Sequence, residues 1–200
     1  MKKIILILLN EIKNDKKKYL FFLILVLVGF IFGNFFNKII NDEDKILVLE
    51  KIKNFISNPN YGGFVNVFSC SDFVYLIFIF LLGISIIGVP IIVSLLFLRS
   101  FILGFSLGSI IVNYKLKGIF FSFLYLFPHQ IIKLFCFIIL SYYSCFFSFN
   151  LINMFVKKND YNIKDGFQKY FIIFCALLIV VIISIIYEFY MMPIFVELIF

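Results

Sequence analysis

The sequence predicts an all-α polytopic membrane helix bundle of about five spans plus one re-entrant or half-length helix. Three observations predict it. Tyr19–Asn37, Phe73–Leu98, Leu134–Val156 and Phe171–Tyr187 carry no formal charge. Each reaches or approaches the ~17–25 apolar residues that carry a helix across bilayer hydrocarbon. Of 200 residues, 64% are hydrophobic and 14% charged, the composition of a chain whose main solvent is lipid. Finally, Lys2, Lys3, Lys13, Lys16, Lys17 and Lys18 crowd the N-terminal side of the first uncharged run. Such a bias holds that end in the cytoplasm. The net charge of +7 is not gathered into one basic stripe, so the expected partner is the lipid bilayer and not nucleic acid.

Residues 1–18 form the first element. Their apolar run Ile4–Leu9 is too short for a cleavable signal, and most of the lysines follow it. Ile4, Ile5, Leu8 and Ile12 share one helical face, which fits a cytoplasmic basic interfacial helix; a frayed basic tail fits equally. Residues 19–200 form a single membrane domain. Its first span, Tyr19–Phe36, contains Gly29 and Gly33 in a G-x-x-x-G pattern that lets another helix approach closely.

The stretch 38–72 carries four lysines against five acids and is expected outside. Within it, Asp42–Ile56 reads as an amphipathic helix with Leu49, Ile52 and Ile56 among its apolar positions. Asp42, Glu43 and Asp44 suit its N-terminal dipole, and Asn58–Gly63 breaks it.

Gly83, Gly88 and Pro90 interrupt the run Phe73–Leu98. A single helix kinked before Pro90 fits this pattern. The preferred alternative ends one span near Gly88 and starts the next at Pro90. Pro90–Asn113 then has spanning length, carries Arg99 inside the membrane, and presents Ser100, Gly104 and Gly108 as a small-residue stripe. Gly118–Ile132 is short and contains Pro128-His129-Gln130, as a re-entrant half-helix would. Leu134–Val156 and Phe171–Tyr187 complete five spans, with the C-terminus outside. A full crossing by Gly118–Ile132 would make six and reverse it. With no Trp in the chain, Tyr19, Tyr114, Tyr142, Tyr170 and Tyr187 are candidates for the interfacial belt.

Candidate chemistry is sparse. His129 and Gln130 either repair carbonyls freed by Pro128 or form an intramembrane polar site. Arg99 is either a snorkelling anchor or a buried cation paired to Glu188 or to lipid phosphate. Glu188 and Glu197 flank Pro193, where interfacial solvation explains them more simply than acid–base chemistry. The four cysteines, Cys70, Cys136, Cys145 and Cys175, have no metal or disulfide spacing. No nucleophile-elbow, zinc or P-loop motif occurs, so no catalytic, cofactor or metal residue is expected.

Leu82–Pro90, followed by Leu96–Phe105, resembles the stage II sporulation protein M family of endospore-forming bacteria. Gly29-Phe-Ile-Phe-Gly33, Gly118–Ser122, Pro128-His129-Gln130 and Tyr187-Glu-Phe-Tyr-Met-Met-Pro193 fall in the family's order. Lys133 departs from it, because many relatives carry Glu after the Pro-His turn. The resemblance implies a non-enzymatic membrane scaffold. It would localise two peptidoglycan hydrolases, sporulation proteins D and P, at the sporulation septum and engulfing membrane, for septal remodelling and forespore engulfment. The exterior helix with Leu49, Ile52 and Ile56 is the expected partner surface. The alternative is a small transporter or a permease subunit of an export system.

Overall fold

In the computed structural model the described residues are 15–37, 39–40, 50, 61–85, 87–125, 129–157 and 162–199. They form five helices: α1 (Lys16–Phe36), α2 (Tyr61–Ile84), α3 (Gly88–Tyr125), α4 (Ile131–Lys157) and α5 (Ile163–Ile199). No strand occurs among them. Lys16–Phe36, Gly88–Phe120, Ile131–Met154 and Ile163–Glu188 are long and apolar enough to cross a membrane. The chain is therefore an all-helical multi-pass membrane protein. In α2 the apolar part, Ser71–Ile84, is shorter. The whole helix has 24 residues, about 36 Å at ~1.5 Å per residue. The interfacial helix of 1–18 (apart from 15–18), the amphipathic segment Asp42–Ile56 (apart from Glu50) and Pro128 lie outside the described residues.

Side-chain contacts fix the direction of each helix. Gly29 lies against Phe97 and Ser100, and Gly33 against Phe101 and Phe105, so α1 and α3 are parallel. Tyr75 Oη donates to the Leu95 carbonyl at 3.4 Å, in an antiparallel hairpin of α2 and α3. Ser144 Oγ donates to the Ile79 carbonyl (3.3 Å) and Ser148 Oγ to that of Ser85 (2.8 Å), placing α4 parallel to α2. Ser184 Oγ donates to the His129 carbonyl at 3.2 Å, while Tyr170 meets Ser144, so α5 is antiparallel to α4. Helices α1, α3 and α5 thus run one way, and α2 and α4 the other.

The seam between α1 and α3 is built from small residues on both sides. A Cβ on Gly29 would stand 2.8 Å from the Phe97 carbonyl oxygen. At Gly33 it would overlap the Phe101 carbonyl oxygen, and at Gly104 that of Phe30. At Gly108 it would come 2.6 Å from Asn37 Nδ2. Without Cβ atoms the two backbones meet directly, which is how helices gain dispersion energy in lipid, where burial from water supplies none. Asn37 Nδ2 donates to the Phe105 carbonyl at 2.9 Å and closes the end of the seam.

A second close approach occurs at Gly83. A Cβ there would collide with the Tyr170 hydroxyl and lie 2.9 Å from Ser144 Cβ. In its absence Tyr170 Oη donates to the Phe80 carbonyl at 2.9 Å and lies 2.7 Å from Ser144 Oγ. Three helices therefore meet at one glycine. Tyr170 and Tyr142 are buried within the bundle. Tyr142 stacks on Tyr19 at 4.1 Å, and its hydroxyl donates to Asp15 Oδ2 at 2.5 Å. A ring with a polar tip serves a packed interior when the tip finds an acceptor, and here it does.

Two breaks shape the bundle. Between Ile84 and Gly88 the chain turns, with Gly88 N–H donating to the Ser85 carbonyl at 3.2 Å, and α3 begins there with Pro90 in its first turn. The helix before Gly88 and the helix carrying Arg99 are separate, as the preferred sequence alternative requires. The second break lies within α3 at Lys115, where φ is 49° and ψ is −121°. The segment after it folds back, because a Cβ on Gly118 would lie 2.5 Å from the Ile110 carbonyl oxygen. This half-helix ends at Tyr125, and His129-Gln130 form a π-type turn that leads into α4.

The loop boundary needs correction. Residues 61–72 are helical and form the first half of α2, where the sequence reading places the end of the loop 38–72. Asp72 is buried, on the same face as Leu76, Ile79, Phe80 and Gly83 at i+4, i+7, i+8 and i+11. A charge at the edge of an uncharged run marks a loop only when water reaches it.

Candidate functional site

One polar cluster lies inside the bundle. Asp72 is 1% exposed, Arg99 7%, Lys133 1% and Glu188 4%. They come from α2, α3, α4 and α5 respectively. Each occupies a position in its helix that the heptad-like buried stripe would otherwise give to an apolar side chain. Arg99 follows Ile92 and Leu96 and precedes Leu103, all buried. Lys133 precedes Cys136, Phe137 and Leu140, and Glu188 follows Leu177, Val181 and Ser184. The periodicity of each helix therefore aims its charge inward.

The cluster lies deep. Arg99 stands eleven residues into α3 and Asp72 twelve from the end of α2. At ~1.5 Å per residue both are about 17–18 Å from the turn that joins the helices, near the middle of a ~30 Å hydrocarbon layer. The half-helix after Lys115 explains how α4 can start with polar residues at this depth. It turns the chain back from the far end of α3 towards the bundle, where His129 and Gln130 are buried.

The charges form an alternating chain. Arg99 Nη2 donates to Asp72 Oδ1. Lys133 Nζ lies 2.8 Å from Asp72 Oδ2 and also donates to Glu188 Oε2. Gln130 Nε2 donates to Glu188 Oε1 at 3.4 Å, and His129 Nε2 lies 3.6 Å from the same oxygen. The order is Arg99–Asp72–Lys133–Glu188–His129. The guanidinium of Arg99 is further flanked by Tyr75 and Phe137, whose ring centroids lie 5.8 and 5.7 Å away. A cation over aromatic faces in a dry site gains quadrupole attraction as well as Coulomb energy.

Two carboxylates balance two cations, with the His129 imidazole at one end. A lone charge at a helix centre in lipid costs roughly 2.5–3.5 kcal/mol or more, so balance is what allows four charges at this depth. Each carboxylate is shared between two neighbours, and the chain joins four helices that local propensity cannot hold in register.

This geometry bears on the residues singled out from sequence. Arg99 is buried, and its acidic partner is Asp72, not Glu188. Glu188 is buried, and its carboxylate accepts from Lys133 and Gln130. His129 and Gln130 join the charge chain. Gly29, Gly33, Gly104 and Gly108 lie together at the α1–α3 seam, Gly83 at the α2–α4–α5 junction, and Gly88 and Pro90 at the start of α3. Leu49, Ile52 and Ile56 lie outside the described residues. Asp72 and Lys133 were not singled out as buried charges. Their signal was available, since both continue the inward stripe of their helices.

A family model described as stage II sporulation protein M matches residues 19–193. Comparison with curated proteins and with solved structures gave no match.

Proposed function

Because the chain belongs to the stage II sporulation protein M family, we propose that it is a non-enzymatic membrane scaffold that localises peptidoglycan hydrolases during sporulation. The observation that carries this reading is the family match over residues 19–193, joined to a bundle whose buried charges are committed to one another. A closed, balanced chain of ion pairs suits a rigid platform. By resemblance, the partners are sporulation proteins D and P, and the site of action is the septal and engulfing membrane. Their substrate lies outside the membrane, so the exterior segment with Leu49, Ile52 and Ile56 is the proposed contact surface.

Deleting the protein in a spore-former tests this. Engulfment should stop after septation, vegetative growth should continue, and fluorescently tagged hydrolases should spread away from the septum. Hydrolases that stay at the septum without the protein would refute the scaffold role.

A transport role is the second reading. It is favoured by a half-helix and a π-type turn that lead into a buried polar layer, an arrangement used by transporters. Flux of a solute or ion through purified protein in liposomes would favour it over scaffolding.

A further inference from the structure

We propose that the intramembrane cluster is a proton-binding site, with His129 as the group that takes the proton and Glu188 as its counter-ion. The proposal stands independently of hydrolase recruitment.

The geometry carries it. His129 Nε2 lies 3.6 Å from Glu188 Oε1, and the His129 side chain is 1% exposed. It stands at the end of a chain of alternating charges, where one more positive charge has a carboxylate to face. Ser184, Tyr187 and Glu188 of α5 face it directly. Gln130, just before α4, and Lys133 on α4 share Glu188 with it, and Asp72 on α2 and Arg99 on α3 continue the chain beyond Lys133. The imidazole is the side chain whose proton exchange ordinarily falls near neutrality, and it is the only one in the chain. The π-type turn at His129-Gln130 adds a local irregularity of the kind found at functional sites.

Binding of a proton changes the pairing throughout the cluster. Neutral His129 leaves Glu188 to Lys133 and Gln130. Cationic His129 competes with Lys133 for Glu188. Lys133 Nζ already lies 2.8 Å from Asp72 Oδ2, so its attraction shifts towards Asp72. Asp72 is then divided more evenly between Lys133 and Arg99. A single proton near α5 thereby loosens the α4–α5 link and alters the pairing inside the α2–α3 hairpin. No atom leaves or enters except that proton, which comes from water.

The single histidine makes a direct test possible. Ring-15N-histidine protein in phosphatidylethanolamine–phosphatidylglycerol vesicles gives one imidazole to follow by NMR. Between about pH 8.5 and about pH 5 the signal should pass from the neutral to the cationic form. Glu188→Gln removes the counter-ion and should lower proton affinity at least about tenfold; Lys133→Met removes a competing cation and should raise it by a similar factor. A wild-type imidazole that stays neutral throughout overturns the proposal, as does one whose affinity is the same in both variants. Should either variant fail to fold, carbon-13 carboxylate signals of wild-type protein decide. A Glu188 signal that moves with the imidazole's midpoint supports the site, and one that ignores it overturns it.

Discussion

Arg99 and Asp72 face each other across the α2–α3 hairpin, and each lies about as far as the other from the turn that joins the two helices. The hairpin therefore carries its own neutralising pair before any other helix packs on it. Both charges must enter the membrane together, because either alone leaves an unpaired ion in hydrocarbon.

Removing one partner should accordingly be worse than removing both. Arg99→Leu or Asp72→Asn is expected to cost about 3–5 kcal/mol, the range for stranding a buried charge. The double variant Asp72→Leu/Arg99→Met should recover much of that loss, since well-packed apolar pairs often match buried ion pairs. Thermal unfolding in detergent micelles, followed by size-exclusion homogeneity, measures this. A double variant as unstable as the sum of the singles would argue against a pairing role.

Gly33→Leu and Gly104→Leu should lower the yield of folded protein sharply, because a Cβ at either position meets a backbone carbonyl of the facing helix. Backbone cannot rotate away as a side chain can, so overpacking here should exceed the usual ~1–3 kcal/mol. Phe120, which is 67% exposed, should tolerate Leu with little change. Equal tolerance at both kinds of position would remove the glycine seam as a determinant of folding.

Helices α1 and α3 are parallel, so a cytoplasmic N-terminus places the start of α3 in the cytoplasm and the Lys115 reversal outside. In a background lacking native Cys70, Lys115→Cys should react with an impermeant thiol reagent in intact cells, and Ile87→Cys only after lysis. The reverse pattern would invert the orientation.

Asp15, just outside the first span, supplies a pH dependence with a definite sign. Its carboxyl is held below its ordinary value of 3.8, first by the Tyr142 hydroxyl and then by Lys18. A carboxyl with a lowered folded value stabilises fully above its ordinary value and ceases to do so as pH falls through the lowered one. Wild-type protein should therefore lose a small increment of stability below about pH 4 that Tyr142→Phe lacks at every pH. Melting curves of the two across this range should converge at the acid end. Parallel curves would mean that the contact contributes nothing.

Much of the bundle was legible in sequence because lipid imposes a simple rule: uncharged runs of sufficient length become helices. The span Tyr19–Phe36, the Gly88 break and the half-helix before His129 follow from it, as do the glycines of the α1–α3 seam. The same rule hid the cluster. Asp72 ended an uncharged run and was assigned to the loop, although it continues the stripe of Leu76, Ile79 and Gly83. Lys133 and Glu188 stand at the ends of runs for the same reason. Charge pairing across helices is a long-range fact, and Arg99 has two acids at intramembrane depth from which sequence could not choose. Helical phase narrows that choice, because Asp72, Lys133 and Glu188 each continue the buried stripe of their own helix.

The scaffold role is tested most directly at the exterior segment. Leu49→Ser, Ile52→Ser and Ile56→Ser should be introduced together, with the variant's membrane level checked first. Fluorescently tagged hydrolases should then lose their septal localisation while the variant itself still reaches the septum. Hydrolases that remain at the septum at wild-type levels would contradict recruitment through this surface, and with the same result in the deletion strain, the scaffold role itself.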